Sequence, residues 1–561
     1  MKITVSDYIF YRLKELHVDT VFGIPGDYVL PFFDRLLDGE HGIKHVGTCN
    51  ELNAAYCADG YAKLHGLGVA AVTFGPGALN ATNAVAGAYA DDTPILLIAG
   101  APTVEVMRTP TQRLLHHVID TNFLANIEIF TPITCAAKQI LQIETATSDI
   151  DDVIRKIFQT KKPAYLELPY DIQLSLVDAP TQPLDLLLFQ SSQQNLAAAV
   201  ENSLELIQNS SSRSVITGHL LQRENLTNIV KGFIEDIGAN VATTFCGKIP
   251  DFEGHPNCVG IYMGAMCQKF TRETIEGSDV LINLGRTNNE FDTGIFTAET
   301  GSDQNVIHAL HDHVIVNNQR FDNVYLREFV PTLANESNKI TPVSVVVPDN
   351  ARTFAFQRSD KFTPTDNNLT IDKLFIQFAN FFKQGDIVYG DTGGYINCSQ
   401  SEFPSGVSLF GCGNWGSLGS GFGMFVGGTQ APQAHTKRCI CITGDGAFQM
   451  TAQELSTLIK EKVNAIVFIL DNAGYGAERA IYPGKYRSYN DIQVWNYERL
   501  SEAFGGQVGV TCEHYVVRTE QEMDDVFAQL DSPKGLHLVR IHLEPNDSAS
   551  FNIEFSKALR H

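Results

Sequence analysis

Arg438-Cys439-Ile440-Cys441-Ile442-Thr443-Gly444-Asp445-Gly446-Ala447-Phe448-Gln449 and Ala465-Ile466-Val467-Phe468-Ile469-Leu470-Asp471-Asn472-Ala473-Gly474-Tyr475 each run from an apolar stretch of strand length into a polar turn. Continuously apolar strands belong to parallel sheets covered on both faces, so this part of the chain is predicted to be α/β. The glycines beside Asp445 let backbone approach a bound group closely. A helix opening at Phe448-Gln449 would aim its free N–H groups at an anion. Read alone, Gly-Asp-Gly is equally an ordinary turn.

The same rhythm recurs upstream. Val69-Ala70-Ala71-Val72-Thr73-Phe74 reads as a buried strand, Gly75-Pro76-Gly77 as a turn, 78–90 as a small-residue helix, and Pro94-Ile95-Leu96-Leu97-Ile98-Ala99 as the next strand. Ser214-Val215-Ile216-Thr217 and Asp279-Val280-Leu281-Ile282-Asn283-Leu284 are strands of a second unit. A polar stretch from 341 to 368 with Pro342, Pro348 and Pro364 reads as a linker. The expectation is three open, mainly parallel-sheet α/β domains over 1–180, 190–345 and 365–561. The glycine-rich run from Gly411 to Gly419 invites a dinucleotide reading, but its spacing is wrong and no acidic ribose partner follows. Close approach of backbone to a flat cofactor, or of two helices, explains it better.

The 561 residues, 44 % of them hydrophobic, suffice for several cores. A net charge of -23 argues against nucleic acid or anionic membrane partners. The 11 cysteines are scattered and form no Cys-x-x-Cys pair, as suits small apolar residues of a reducing compartment. Met1 to Ile9 enters an amphipathic helix rather than a signal segment, and no apolar run approaches membrane-spanning length. A cytoplasmic protein is expected.

Several polar residues stand out. Asp27 lies in Gly23-Ile24-Pro25-Gly26-Asp27-Tyr28 and Glu51 in Thr48-Cys49-Asn50-Glu51-Leu52; His116 and His117 are adjacent, and Glu478 follows Tyr475-Gly476-Ala477. Singly, each has an ordinary explanation: a helix cap for Asp27, a helix N-terminal charge for Glu51, a solvated or core pair for the histidines. As a set with the segments around Asp445 and Asn472, they resemble the thiamine-diphosphate-dependent 2-oxo acid decarboxylases, which act on pyruvate, indolepyruvate, phenylpyruvate and branched-chain oxo acids. The resemblance spans nearly the whole chain and is weakest in the middle unit. The His116-His117 pair with Glu478 separates the chain from the similarly folded acetohydroxyacid synthases and from oxalyl- and benzoylformate-type enzymes.

The resemblance implies a thiamine-diphosphate-binding fold. Its N-terminal domain holds the aminopyrimidine, its central domain is Rossmann-like, and its C-terminal domain binds diphosphate and Mg2+ under a closing C-terminal helix. Mg2+ prefers an octahedron of oxygens; by resemblance Asp445, Asn472 and the carbonyl of Gly474 supply the protein ligands. Gly444, Gly446, Ala447 and Thr392 line the cofactor. Asp471 departs from the family's usual Asn, and Gly394 stands where relatives often place a hydroxyl or carboxyl near the diphosphate. Glu51 is implied to share a proton with the aminopyrimidine, Leu418 to bend the cofactor, and the Gly416 carbonyl to accept from its amino group. The cofactor provides the electron sink that decarboxylation requires. Asp27, His117 and Glu478 match the proton-handling residues, with His116 beside them; such a cluster titrates as a unit.

The expected reaction is non-oxidative decarboxylation of a 2-oxo acid to an aldehyde and CO2 through a cofactor-bound enamine. A carboligase or synthase using the same intermediate, or an inactive cofactor-binding relative, are the alternatives. Gly476 and Ala477 are small where pyruvate-specific relatives tend to carry Thr and Ile, so the pocket is expected to favour bulky aliphatic or aromatic substrates. Thr392, Ile396, Phe555 and Leu559 are expected to complete it, although Phe555 and Leu559 would equally suit core packing. The family implies a homodimer or a dimer of dimers.

Overall fold

Two sheets with one topology bracket the molecule. The N-terminal sheet runs Lys44–Gly47, Thr20–Gly23, Gly68–Val72, Ile95–Ala101, Ala164–Pro169, Ala136–Gln139, and every pairing is parallel. The C-terminal sheet runs Ser408–Phe410, Ile387–Gly390, Cys439–Gly444, Ala465–Asp471, Leu536–His542, Cys512–Val517, again all parallel. Counted within its own domain, each has the strand order 2-1-3-4-6-5. The computed structural model describes all residues except 110–114, 187–188, 302–303, 349–350, 352, 359–361, 508 and 561.

The central sheet has 7 strands. Cys258–Tyr262, Asn240–Thr244, Arg213–Thr217, Val280–Leu284 and Asn305–Ala309 are parallel, and an antiparallel hairpin, His313–Val316 with Gln319–Asp322, closes one edge. The described residues of 341–368 carry no helix or extended strand. No helix among the described residues is long and apolar enough to cross a membrane. All 11 cysteines are free.

Local expectations need three corrections. Lys2–Thr4 is a strand paired antiparallel with Leu176–Asp178, and the amphipathic helix starts after it at Val5. The small-residue helix is two, Pro76–Asn80 and Thr82–Ala90. The helix after Gly444 begins at Asp445 itself and not at Phe448, so the first-turn N–H groups lie nearer the acidic residue.

The N- and C-terminal sheets are joined by a close helix crossing. Helix Glu51–His65, capped by Asn50 and closed by left-handed Gly66, packs on Ser420–Gly428. A Cβ on Gly60 would lie 1.8 Å from Met424 O, and one on Gly427 would lie 1.9 Å from Cys57 O. Glycine is required where backbones touch in this way. Thus part of the glycine-rich composition serves helix packing.

All three domains meet at Asp91-Asp92. Asp91 accepts from Lys63 Nζ at 3.1 Å and from the Asn414 N–H at 3.2 Å. Asp92 faces His219 Nε2 at 2.8 Å and Lys162 Nζ at 2.5 Å, and its carbonyl accepts from Arg223 Nε at 3.1 Å. Burial alone would raise the Asp92 carboxyl; His219 and Lys162 outweigh it and hold the group at about 2. The folded value lies below the unfolded one, so this stabilisation is present above the ordinary carboxylate range and is lost as pH falls towards 2. Asp92→Asn should therefore cost about 2 kcal/mol at neutral pH, and less as the medium is acidified below about pH 4. Urea unfolding across pH checks this; a deficit that does not change with pH would contradict it.

Candidate active site

The C-terminal half of the site sits where the strand order reverses, at the carboxyl ends of Ile387–Gly390 and Cys439–Gly444. Parallel sheets bind ligands at that point. A cavity of about 410 Å3 opens there. Thr392, Ile396, Gly416, Leu418, Gly444, Asp445, Gly446, Ala447, Asn472, Gly474, Ala477, Glu478, Phe555 and Leu559 all line it, so the expected C-terminal residues converge on one space. Asp445 Oδ1 accepts from Gly446 N–H at 2.7 Å and Oδ2 from Gly474 N–H at 3.0 Å, which ties the two segments together. Burial, aided by the charge of Asp471, pushes the Asp445 carboxyl up to about 7 against those N–H groups. Asp471, the departure from Asn, is balanced by Arg540, whose Nε lies 2.8 Å from its carboxylate. Arg540 also pairs with Glu498 at 3.0 Å.

A Cβ on Gly393, Gly416 or Gly444 would meet nothing within 4 Å, so backbone at all three faces open space. Gly394 does not: a Cβ there would lie 2.2 Å from Ile442 O, and its neighbour Gly393 lines the cavity instead. Buried Asp391 braces this wall by accepting from the N–H groups of Thr392 at 2.9 Å, Gly419 at 3.1 Å and Phe422 at 3.3 Å. Phe555 has both expected roles. It lines the cavity and its ring packs on Phe245 and Phe291 of the central domain at 6.2 and 5.5 Å.

Among the described residues, none of the N-terminal domain lines that cavity. Asp27, His116 and His117 form a separate cluster at the ends of the N-terminal strands, with His116 Nε2 2.6 Å and His117 Nδ1 3.7 Å from the Asp27 carboxylate. Burial would raise the Asp27 carboxyl, but the hydrogen bond from His116, the N–H of Tyr28 and the charge of both imidazoles hold it below its ordinary value. The Tyr28 ring stacks on His116 at 5.2 Å. His117 has φ of 66°, a strained conformation for a non-glycine residue, and a Cβ on Gly75 would strike its carbonyl at 2.0 Å. Thr73 Oγ1 donates to Asp27 at 3.3 Å, and Glu51 accepts from Asn80 Nδ2 at 2.8 Å. Asn80, Thr73 and Asp391 were not foreseen from sequence. Asp391 alone had a visible signal, as a polar residue ending an apolar strand ahead of Thr392.

Comparison with known proteins accounts for both halves. Residues 3–123 match the family described as Thiamine pyrophosphate enzyme, N-terminal TPP binding domain; 200–330 match its central domain and 395–541 its C-terminal TPP binding domain. Pyruvate decarboxylase isozyme 3 of Saccharomyces cerevisiae is 31 % identical over 559 residues, 98 % of this chain and 96 % of the relative. The chain belongs to the thiamine-diphosphate-dependent 2-oxo acid decarboxylases. Pyruvate decarboxylases of Candida glabrata and Candida albicans are 30 % and 31 % identical, covering 99 % and 98 % of this chain and 98 % and 96 % of the relatives. The decarboxylase uses thiamine diphosphate, with Mg2+ as the family's usual metal. The cavity fits that group: a buried carboxylate, an amide side chain and a turn carbonyl can serve a hard cation, beside glycine backbone facing open space.

Proposed function

We propose that this decarboxylase acts on 2-oxo acids with bulky aliphatic or aromatic side chains, in the cytoplasm, at a site completed by two chains. The observation behind the substrate class is the cavity wall at Ala477-Glu478. A Cβ on Gly476 would meet only the Asn472 side chain, 2.3 Å from its Nδ2. Of this small pair Ala477 stands next to Glu478, and it is the position we assign as size-determining. The named relatives act on pyruvate; the missing side-chain volume at Ala477 is what argues for larger substrates here. Ala477→Ile should cut kcat/KM for phenylpyruvate relative to pyruvate by roughly one to two orders of magnitude, the cost of about 1–3 kcal/mol of overpacking. Aldehyde formation from a panel of 2-oxo acids checks it. A wild-type preference for pyruvate, or an unmoved ratio, would remove Ala477 as the gate.

Bound thiamine diphosphate supplies an electron sink for the carbon that loses CO2. In our reading Asp445, Asn472 and the Gly474 carbonyl hold its metal, and Leu418 and Gly416 set its shape. Glu51, held by Asn80, shares a proton with the aminopyrimidine. Asp27, His117 and Glu478 move protons to and from the reacting substrate, while His116 orients Asp27.

What supports a site completed by two chains is the separation, within one chain, of Asp27, His116 and His117 from the cavity that Glu478 lines. Large apolar side chains of both domains are also exposed: Trp415 is 46 %, Met450 49 % and Leu124 51 % accessible. Mixing inactive Glu51→Gln and Asp445→Ala chains should restore activity in the dimers that assemble one intact site. No recovery despite demonstrated subunit exchange would count against the shared site.

A further inference from the structure

Glu454 is a fully buried carboxyl that the reaction as described leaves without a role. It ends the short turn Ala452–Glu454, directly after the helix that Asp445 opens. Its Oε1 accepts from the Cys49 N–H at 2.7 Å and from Asn53 Nδ2 at 2.9 Å, across more than 400 residues of chain. Its Oε2 accepts from Thr457 Oγ1 at 2.7 Å. Among the described residues no Lys, Arg or His forms an ion pair with it. Burying a carboxyl without a cation is costly unless hydrogen bonds satisfy it, and three do here.

The two residues on Oε1 bracket Asn50 and Glu51. Asn50 caps helix Glu51–His65, its side chain accepting from the Asn53 N–H at 2.8 Å. Cys49 is held further by its thiol, 3.3 Å from both Gln453 O and Ser456 Oγ. Glu51 thus emerges from a turn fixed on both sides by the C-terminal domain of its own chain. We propose that Glu454 is a positioning residue for Glu51, setting where its carboxyl meets the aminopyrimidine. This rests on the reading of Glu51 as the proton-sharing group. If the site is shared between chains, the segment that carries the metal ligand of one site also fixes the proton-sharing carboxyl of the other.

Two readouts test the role without turnover. One is exchange of the thiazolium C2 proton of bound cofactor in D2O, with no substrate. The other is amide hydrogen exchange over residues 48–53 in the cofactor-free protein. Glu454→Ala should slow C2 exchange by roughly 100-fold, the scale of an ångström's misplacement, and should expose the 48–53 amides. Metal-dependent cofactor binding should change far less. Glu454→Gln should restore both readouts, because its amide oxygen can accept the same two bonds and its NH2 can donate to the Thr457 hydroxyl. Should Glu454→Ala fail to fold, Asn53→Ala removes one of the two bonds and should slow C2 exchange by about tenfold. Wild-type C2 exchange in a folded Glu454→Ala or Asn53→Ala protein overturns the proposal. Glu51→Gln is the control: slow C2 exchange with protected 48–53 amides is expected, and fast exchange would remove the role of Glu51 itself.

Discussion

Glu51→Gln is expected to lower kcat by roughly 10²–10⁴-fold, the range for losing a proton-transfer group, while the protein stays folded and loaded with cofactor. Three features support that combination. Glu51 is only half-buried, so an isosteric amide does not disturb a core. Asn80 donates to it at 2.8 Å, and the amide oxygen of Gln accepts the same bond. The residues around Asp445 and Asn472 lie in a separate cavity and are untouched. What disappears is the ability to give and take a proton. Steady-state turnover under saturating cofactor, with a melting curve as control, measures this. Turnover near wild type in the loaded variant would refute the role.

The second large effect falls on binding. Asp445→Ala should weaken metal-dependent cofactor affinity by upward of about 100-fold, exceeding what loss of a merely supporting group costs. The carboxylate has two structural duties besides ligation, since it accepts from the N–H groups of both Gly446 and Gly474. Its removal leaves those donors unpaired and loosens the turn that carries the Gly474 carbonyl. Added Mg2+ and cofactor should recover part of the turnover, because the proton-handling residues remain. Calorimetric titration decides the matter, and an unchanged dissociation constant would contradict the metal assignment.

The strands, and the turns that end them, were legible because their signals are local. Apolar runs such as Ala465–Asp471 announce buried parallel strands, and the turns after them carry Asp445 and Asn472. The family-derived proton cluster was legible as residue types; its internal geometry was not. The hydrogen bonds of Thr73, Asn80 and Glu454 join segments far apart in sequence, and nothing in an isolated threonine, asparagine or glutamate reveals such a partner. Glycines were legible as glycines, but their causes differ. Gly394 yields to Ile442 and Gly60 to Met424, whereas Gly416 faces open space. Only coordinates separate a glycine that avoids a neighbour from one that makes room for a ligand.

The crossing of helices Glu51–His65 and Ser420–Gly428 also limits how the molecule can breathe. With backbone seated on backbone at Gly60 and Gly427, neither helix can slide along the other without carbonyl collision. The first and last thirds of each chain therefore travel as one body. Admission of substrate and escape of aldehyde must be borne by parts outside that seam. Helix Ser550–Ala558 is placed for this: it meets the central domain through the ring of Phe555 and is tied to its own domain by side-chain hydrogen bonds from Ser550 to Asp372 and Asn552 to Asn397, without interlocked backbone.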